Sequence, residues 1–212
     1  MTAAPVVYLH GFASGPGSKK ARFFAERFAA RGVPFAVPDL AAGDFSRLTL
    51  SGQLQVIENA IAGRSVCMMG SSMGGYLAAL YAAAHPAQVR RLVLMAPAFD
   101  FASRWRQRLG EPAFAEWERT GLLSVFHYGA GQPATVGFAL YSDALEHPRF
   151  PSVTQPTLIF HGTRDDVVPV ELSERFAAGR EAHVQLRRFD SDHELVDVTD
   201  PMWEETWAFL QD

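Results

Sequence analysis

The chain has 212 residues, about the length of one domain, and 48% of them are hydrophobic whereas 20% are charged. This balance is typical of a globular protein and excludes intrinsic disorder, collagen and coiled coils. A net charge of −4 supplies no general field for phosphate backbones or anionic lipid. We therefore expect neither a nucleic-acid partner nor a membrane partner.

The start of the sequence does not predict an export signal. Its first residues contain no basic segment, and its longest apolar runs fall well short of the roughly 18 residues that a membrane span needs. Cys67 is the only cysteine, so no internal disulfide can form and a reducing compartment is the simplest setting. We expect a soluble, cytoplasmic protein.

The first half of the chain alternates between short apolar runs and amphipathic segments. Apolar runs predict strands at 6–10, 33–37, 66–69 and 91–96. Apolar residues at helical spacing predict helices over 18–31, 50–61 and 75–85. This alternation is typical of a doubly wound, mostly parallel sheet with right-handed crossovers.

The end of the chain continues the same pattern. It predicts strands at 157–161 and 184–189, the second nearer an edge of the sheet, with a helix over 171–178 between them. Asp200 is predicted as the N-cap of a last helix with Pro201 at its first position. Trp203 and Trp207 share a face of that helix, and we favour core packing for them over a dimer contact. The whole sheet is expected to have about six strands.

One segment interrupts this rhythm, between Pro97 and Pro156. It is too long and too aromatic for a bare loop, so we predict a small, partly helical cap at about 98–155, inserted into a single domain whose core is 1–97 and 156–212. Singly, its aromatic residues are expected to fill the core of the cap, and together to form an apolar roof. They are Trp105, Phe114, Trp117, Phe126, Tyr128, Phe138 and Tyr141.

The strongest chemical signal is the pattern G-x-S-x-G at 70–74, between a predicted strand and a predicted helix. A serine on a sharp strand-to-helix turn needs neighbours without side chains, and Gly70 and Gly74 meet that need. Without this context Ser72 would be an ordinary helix N-cap. In this context the pattern predicts that Ser72 is a nucleophile.

A serine nucleophile needs a base and a carboxylate that orients the base. Asp165 follows the strand that ends at His161, and His193 follows the last strand, so both are expected at the edge of the sheet where Ser72 lies. Singly, such residues are more often turn or surface residues. In the order Ser, Asp, His, they predict a catalytic triad.

Four motifs in this order resemble those of the α/β-hydrolases. His10-Gly11-Phe12 resembles their oxyanion loop and 70–75 their nucleophile elbow, while 161–169 and Asp192-His193 resemble their acid and histidine loops. Within the family the chain resembles small bacterial esterases of the YqiA/YcfP type, and the stretches around Asp165 and His193 also look like those of compact acyl-protein thioesterases. Since many members carry two antiparallel strands before the oxyanion loop, a shorter sheet is expected here.

The resemblance implies roles for individual residues. Ser72 would be the nucleophile, His193 the general base and acid, and Asp165 the orienting carboxylate, with the backbone N–H groups of Phe12 and Met73 as oxyanion donors. The family spacing favours Asp165 for the acid. Three other carboxylates remain open as alternatives, and two histidines are expected to shape loops. These are Asp166, Asp190 and Asp192, and His10 and His161.

The implied reaction is acyl transfer in two steps through an acyl-enzyme, which needs no cofactor and no metal. We expect the substrate to be a small-molecule carboxylic ester with a short acyl or small aryl group. An acyl thioesterase is the nearest alternative, because thioesters need the same nucleophile and oxyanion hole. From a different class, a receptor on this scaffold would bind a ligand with little turnover. The protein is expected to be a monomer or a homodimer.

Overall fold

The computed structural model describes residues 4–211. The strands are β1 (Val6–Leu9), β2 (Phe35–Ala36), β3 (Val66–Ser71), β4 (Val89–Met95), β5 (Leu122–His127), β6 (Gln132–Gly137), β7 (Thr157–Gly162) and β8 (Val184–Phe189). The helices are α1 (Lys19–Ala29), α2 (Leu50–Ile61), α3 (Met73–Ala84), α4 (Phe101–Thr120), α5 (Ala139–Ala144), α6 (Val170–Ala177) and α7 (Thr199–Gln211), with a 3₁₀ turn at Phe45–Arg47. None of these helices is long and apolar enough to cross a membrane.

Six of the strands form one sheet in the order β2-β1-β3-β4-β7-β8, and every neighbouring pair is parallel. The expectation of a mostly parallel sheet of about six strands is confirmed, and β8 lies at an edge as predicted. Strand β2 has only two residues and lies at the other edge of the sheet, between Pro34 and Pro38, which have no N–H to donate to a neighbouring strand. Since all six strands run the same way, their carboxyl ends meet at one edge.

The side chains of the sheet alternate between two apolar layers. From β1, Val6 and Tyr8 pack with α1 and α7 on one face, whereas Val7 and Leu9 pack with α2 and α3 on the other. Trp203 of α7 is buried against Phe28 of α1, as expected for a core residue. Helix α7 begins at Thr199, so Asp200 lies in its first turn and is not its N-cap.

The segment predicted as a cap is an insertion, because β4 and β7 pair directly although residues 96–156 separate them. Helix α4 is kinked at Gly110, which has a φ of 73°, next to Pro112, which has no N–H to donate. Strands β5 and β6 then form an antiparallel hairpin, followed by α5. The insertion is therefore partly helical, and its hairpin was not predicted.

The aromatic residues of the insertion serve different purposes. Four of them pack against one another in the core of the insertion, namely Phe114, Trp117, Phe138 and Tyr141. Phe126 and Tyr128 lie together on the exposed side of the hairpin. Trp105 alone among the seven packs on the ring of Phe12, at a centroid distance of 5.0 Å. Of the seven aromatic residues expected to form an apolar roof, only Trp105 therefore lies against the predicted oxyanion loop.

Candidate active site

Ser72 occupies a sharp turn between β3 and α3, with φ 54° and ψ −120°. This is a strained backbone conformation for a residue with a side chain, and such conformations are held only where the surrounding structure enforces them. Backbone hydrogen bonds to the sheet and to α3 hold Ser72 in this conformation. The Ser72 N–H donates to Met95 O of β4 at 2.8 Å, while its C=O accepts from Gly75 N and Tyr76 N of α3.

The two glycines that flank Ser72 are required by close backbone contacts. A Cβ atom on Gly74 would lie 2.1 Å from Leu9 O and 2.6 Å from His10 O, at the end of β1. A Cβ atom on Gly70 would lie 2.3 Å from Gly74 O. Side-chain atoms cannot occupy either position, so the pattern G-x-S-x-G has a steric cause in this chain.

The side chains of Ser72, His193 and Asp165 form one hydrogen-bonded chain. His193 Nδ1 lies 2.7 Å from Asp165 Oδ2, and His193 Nε2 lies 3.0 Å from Ser72 Oγ. Because a carboxylate only accepts, Nδ1 carries the proton and Nε2 is free to accept from the serine hydroxyl. This arrangement can draw a proton from the serine and stabilise the imidazolium that results.

Asp165 is held in place from several sides. Its side chain is closed to solvent, and its Oδ1 accepts from the N–H groups of Val167 at 2.9 Å and Val168 at 2.7 Å. Burial by itself would raise the pKa of this carboxyl, but hydrogen bonds from His161 and His193 outweigh it and hold the pKa below the ordinary value. Asp165 is therefore a carboxylate at neutral pH.

The three alternative carboxylates lie elsewhere. Asp166 is exposed beside Asp165, and Asp190 pairs with Arg164 at 2.6 Å on the surface. Asp192 Oδ1 accepts from the N–H groups of Glu194 and Leu195 and so shapes the turn that follows His193. Among the carboxylates of residues 4–211, only that of Asp165 hydrogen-bonds to the His193 ring.

His161 is a second histidine that contacts the Asp165 carboxylate. Its ring is fully buried, with Nδ1 2.7 Å from Ser173 Oγ and Nε2 2.8 Å from Val168 O and 3.2 Å from Asp165 Oδ2. A carbonyl only accepts, so Nε2 carries the proton and Nδ1 accepts from the serine. The predicted loop-shaping role of His161 does not include this contact with Asp165, which depends on how the loop after β7 turns back over the ring.

The predicted oxyanion loop lies beside Ser72. A Cβ atom on Gly11 would be 3.4 Å from Ser72 Cβ, and the loop turns at Ala13, which has a φ of 53°. Within residues 4–211, neither Phe12 N–H nor Met73 N–H donates to a protein acceptor. His10, the other loop-shaping histidine, accepts from Leu40 N at 3.3 Å, and burial lowers its pKa.

The insertion contacts both the acid loop and the oxyanion loop. The guanidinium of Arg104 on α4 donates to Val167 O, whose own N–H is bonded to Asp165. The turn of the β5–β6 hairpin reaches the oxyanion loop, where Gly129 N–H donates to Ala13 O at 3.2 Å. No sequence pattern indicated these contacts, because they depend on how the insertion folds over the sheet. Among residues 4–211, no cluster of three or more His, Cys, Asp or Glu side chains is arranged to hold a metal ion.

Comparison with known proteins agrees with this architecture. A family model described as "Uncharacterised protein family (UPF0227)" matches residues 5–211. The fold is similar to that of alpha/beta hydrolase domain-containing protein 10 from mouse, with a TM-score of 0.75 and 20% identity over 97% of this chain and 92% of that one. The chain therefore has the α/β-hydrolase fold.

Two further solved structures have the same fold. Est1E from Butyrivibrio proteoclasticus, with ferulic acid bound, gives a TM-score of 0.79 and 20% identity over 99% of this chain and 91% of that one. Monoacylglycerol lipase from Paleococcus ferrophilus gives a TM-score of 0.75 and 18% identity over 99% of this chain and 96% of that one. Among curated proteins, none matches the chain in sequence.

Proposed function

This chain belongs to the protein family UPF0227, and we propose that it is a serine hydrolase that cleaves carboxylic esters of short acyl or small aryl acids. The observation that carries the proposal is the hydrogen-bonded chain from Ser72 through His193 to Asp165, assembled from three loops at one edge of the sheet. The names of the structural neighbours, which include a hydrolase and a lipase, agree with it.

In the first half of the reaction, His193 Nε2 takes the hydroxyl proton of Ser72 while Ser72 Oγ attacks the ester carbonyl. The carbonyl oxygen becomes an oxyanion, and the N–H groups of Phe12 and Met73 are the proposed donors to it. Loss of one such donor typically costs about 2.7–4 kcal/mol of transition-state stabilisation. His193 then protonates the leaving alcohol, which leaves the acyl group on Ser72 as an ester.

In the second half, water replaces the alcohol. His193 accepts a proton from the water as its oxygen attacks the acyl-enzyme, and returns the proton to Ser72 Oγ as the acid departs. Asp165 stabilises the imidazolium in both halves, since its buried carboxylate stays charged and keeps Nδ1 protonated. Every proton transfer in this scheme passes through His193.

The proposed substrate class follows from the surroundings of the oxyanion loop. The ring of Phe12 packs between Phe45, at 5.3 Å, and Trp105, at 5.0 Å, so aromatic side chains stand next to the proposed oxyanion donor. Apolar walls of this kind favour an uncharged acyl or aryl group over a charged peptide. Est1E has been solved with ferulic acid, a carboxylic acid that carries an aromatic ring, which is consistent with the same class.

The test is turnover of p-nitrophenyl acetate, butyrate and octanoate by the wild-type protein and by Ser72→Ala. We expect sustained release of nitrophenol by the wild type, fastest for the shorter esters, and its loss in Ser72→Ala. Ser124→Ala, which changes an exposed serine on β5, is the matched control and should keep wild-type rates. Equal rates for Ser72→Ala and the wild type would overturn the proposal, and a single stoichiometric burst without turnover would favour a binding protein.

A further inference from the structure

Lys20 is a buried lysine near the candidate active site. It is 7% exposed, and its ammonium donates to the backbone carbonyl of Glu194 at 2.5 Å. Lysine is among the residues that are almost never fully buried, because removing an ammonium from water costs free energy unless partners compensate. Burial lowers the pKa of Lys20, and the carboxylates of Glu194, Asp192 and Asp165 oppose that shift.

The burial of Lys20 follows from its place on α1. Lys20, Phe24 and Phe28 recur every four residues, so they share the face of α1 that packs on the sheet. The helix is fixed at its start by Ser18, whose hydroxyl accepts from Ala21 N–H. Lys20 therefore projects from the first turn of the helix that follows the predicted oxyanion loop after residues 13–18.

The carbonyl that Lys20 binds belongs to the residue after His193. The N–H groups of Glu194 and Leu195 are held by Asp192, and Leu195 is buried with a φ of 53°, so the turn around His193 is tight. The bonds from Asp192 are local to the turn. The bond from Lys20 spans 174 residues of sequence and ties the turn to the opposite end of the chain.

We infer that Lys20 is a positioning residue that fixes the orientation of His193 toward Ser72. It does so by binding the Glu194 carbonyl, which locks the peptide that follows His193 against α1. The inference rests on the proposed function, since it assigns Lys20 a part in the same site. Lys20 bonds to the backbone beyond the imidazole and not to the reacting atoms, so it acts as a positioning residue through His193.

The test compares Lys20→Met with Lys19→Met. Methionine keeps the unbranched stem of the side chain, one atom shorter, but removes the ammonium, and Lys19 is the exposed neighbour on the same helix and the only other lysine. We expect Lys20→Met to lower kcat on p-nitrophenyl butyrate about 10- to 100-fold, the scale of a misplaced catalytic group, with KM within about twofold of wild type. Lys19→Met should match the wild type in both constants.

A second readout reports on His193 without any substrate. In protein labelled with 15N-histidine, the ring signals of His193 are assigned by their absence in His193→Ala. We expect the Nδ1–H signal to shift or broaden in Lys20→Met and to stay in place in Lys19→Met. If the wild type hydrolyses no ester, the proposed function fails, but this signal still decides whether Lys20 orients His193.

Unfolding in urea separates positioning from stability. In Lys20→Met the lost hydrogen bond lowers the free energy of unfolding, whereas removal of a buried charge raises it. Because the two effects oppose each other, we expect this variant to stay folded under assay conditions. Should Lys20→Met not fold, the His193 Nδ1–H signal is measured in Lys20→Gln, which keeps an N–H donor on a shorter side chain. We expect that signal to be partly shifted from its wild-type position. The inference is overturned if the His193 signal and kcat of the folded Lys20 variant equal those of Lys19→Met.

Discussion

Nε2 of His193 lies 3.0 Å from the hydroxyl of Ser72, although 121 residues separate the two in sequence. The contact exists because β3 and β8 run parallel in the same sheet, so the loops that follow them emerge at the same edge. Asp165 reaches this edge from the end of β7, which lies next to β8. The three residues lie far apart in the sequence, and the parallel sheet brings them together.

Replacing the carboxylate of Asp165 tests its proposed role. In Asp165→Asn the amide can offer an N–H to Nδ1, which favours the tautomer whose proton is on Nε2 and cannot accept from Ser72. We expect kcat on p-nitrophenyl butyrate to fall by about 10⁴-fold. Asp166→Asn, at the exposed neighbouring carboxylate, should keep the wild-type rate. Comparable losses in both variants would contradict the assignment.

The same carboxylate makes stability depend on pH. The pKa of Asp165 in the folded protein is below its unfolded value of about 3.9, so its contribution is complete at neutral pH and is lost as pH falls through the folded pKa. We expect urea unfolding at pH 7 to show a lower free energy of unfolding for Asp165→Asn than for wild type. The difference should shrink below about pH 4. A difference that stays constant down to pH 3 would contradict this account.

Gly74 tests the steric basis of the turn at Ser72. In Gly74→Ala the new methyl group would lie 2.1 Å from Leu9 O, so the end of β1 and the start of α3 must move apart. We expect a loss of about 3 kcal/mol in the free energy of unfolding, measured in urea. Gly17→Ala is the control, because a Cβ atom there meets nothing within 4 Å. Equal stability of the two variants would show that the close approach is not needed.

Arg104 tests the link between the insertion and the acid loop. Arg104→Met removes the donor to Val167 O, and the turn that holds Asp165 loses a charge-assisted hydrogen bond. Such a bond contributes about 1.5–3 kcal/mol, so we expect kcat to fall at least about tenfold. Arg106→Met removes an exposed arginine of the same helix that pairs with Glu111 and should leave kcat unchanged. An unchanged kcat in Arg104→Met would mean that the acid loop is held without the insertion.

Much of the core of the fold was accessible from sequence because its signals are local. The apolar runs that became β3 and β7 are buried on both faces, and the helices between strands carry their apolar residues at helical spacing. The G-x-S-x-G pattern is informative for the same reason. Its glycines are required by close backbone contacts within the strand-turn-helix unit and with the adjoining strand β1. Predicted boundaries differed from the observed ones by a few residues.

The insertion was harder to predict. In the structure Leu122–His127 alternates exposed and half-buried residues, but its sequence does not alternate apolar and polar residues, so the periodicity that indicates a strand is absent. The burial of Lys20 was also not foreseen. Its spacing from Phe24 and Phe28 indicated an inward position, yet the residue type predicts exposure, and only the histidine loop from the far end of the chain explains the difference.

The central claim is that His193 activates Ser72, and covalent labelling with a fluorophosphonate tests it most directly. Trypsin releases residues 65–90 as one peptide that contains Ser65, Ser71 and Ser72, and fragmentation identifies the modified residue. The account predicts a single adduct on Ser72 in the wild type, and labelling at least about 10³-fold slower in His193→Ala. An adduct on another serine, or equal labelling rates in the two proteins, would contradict it.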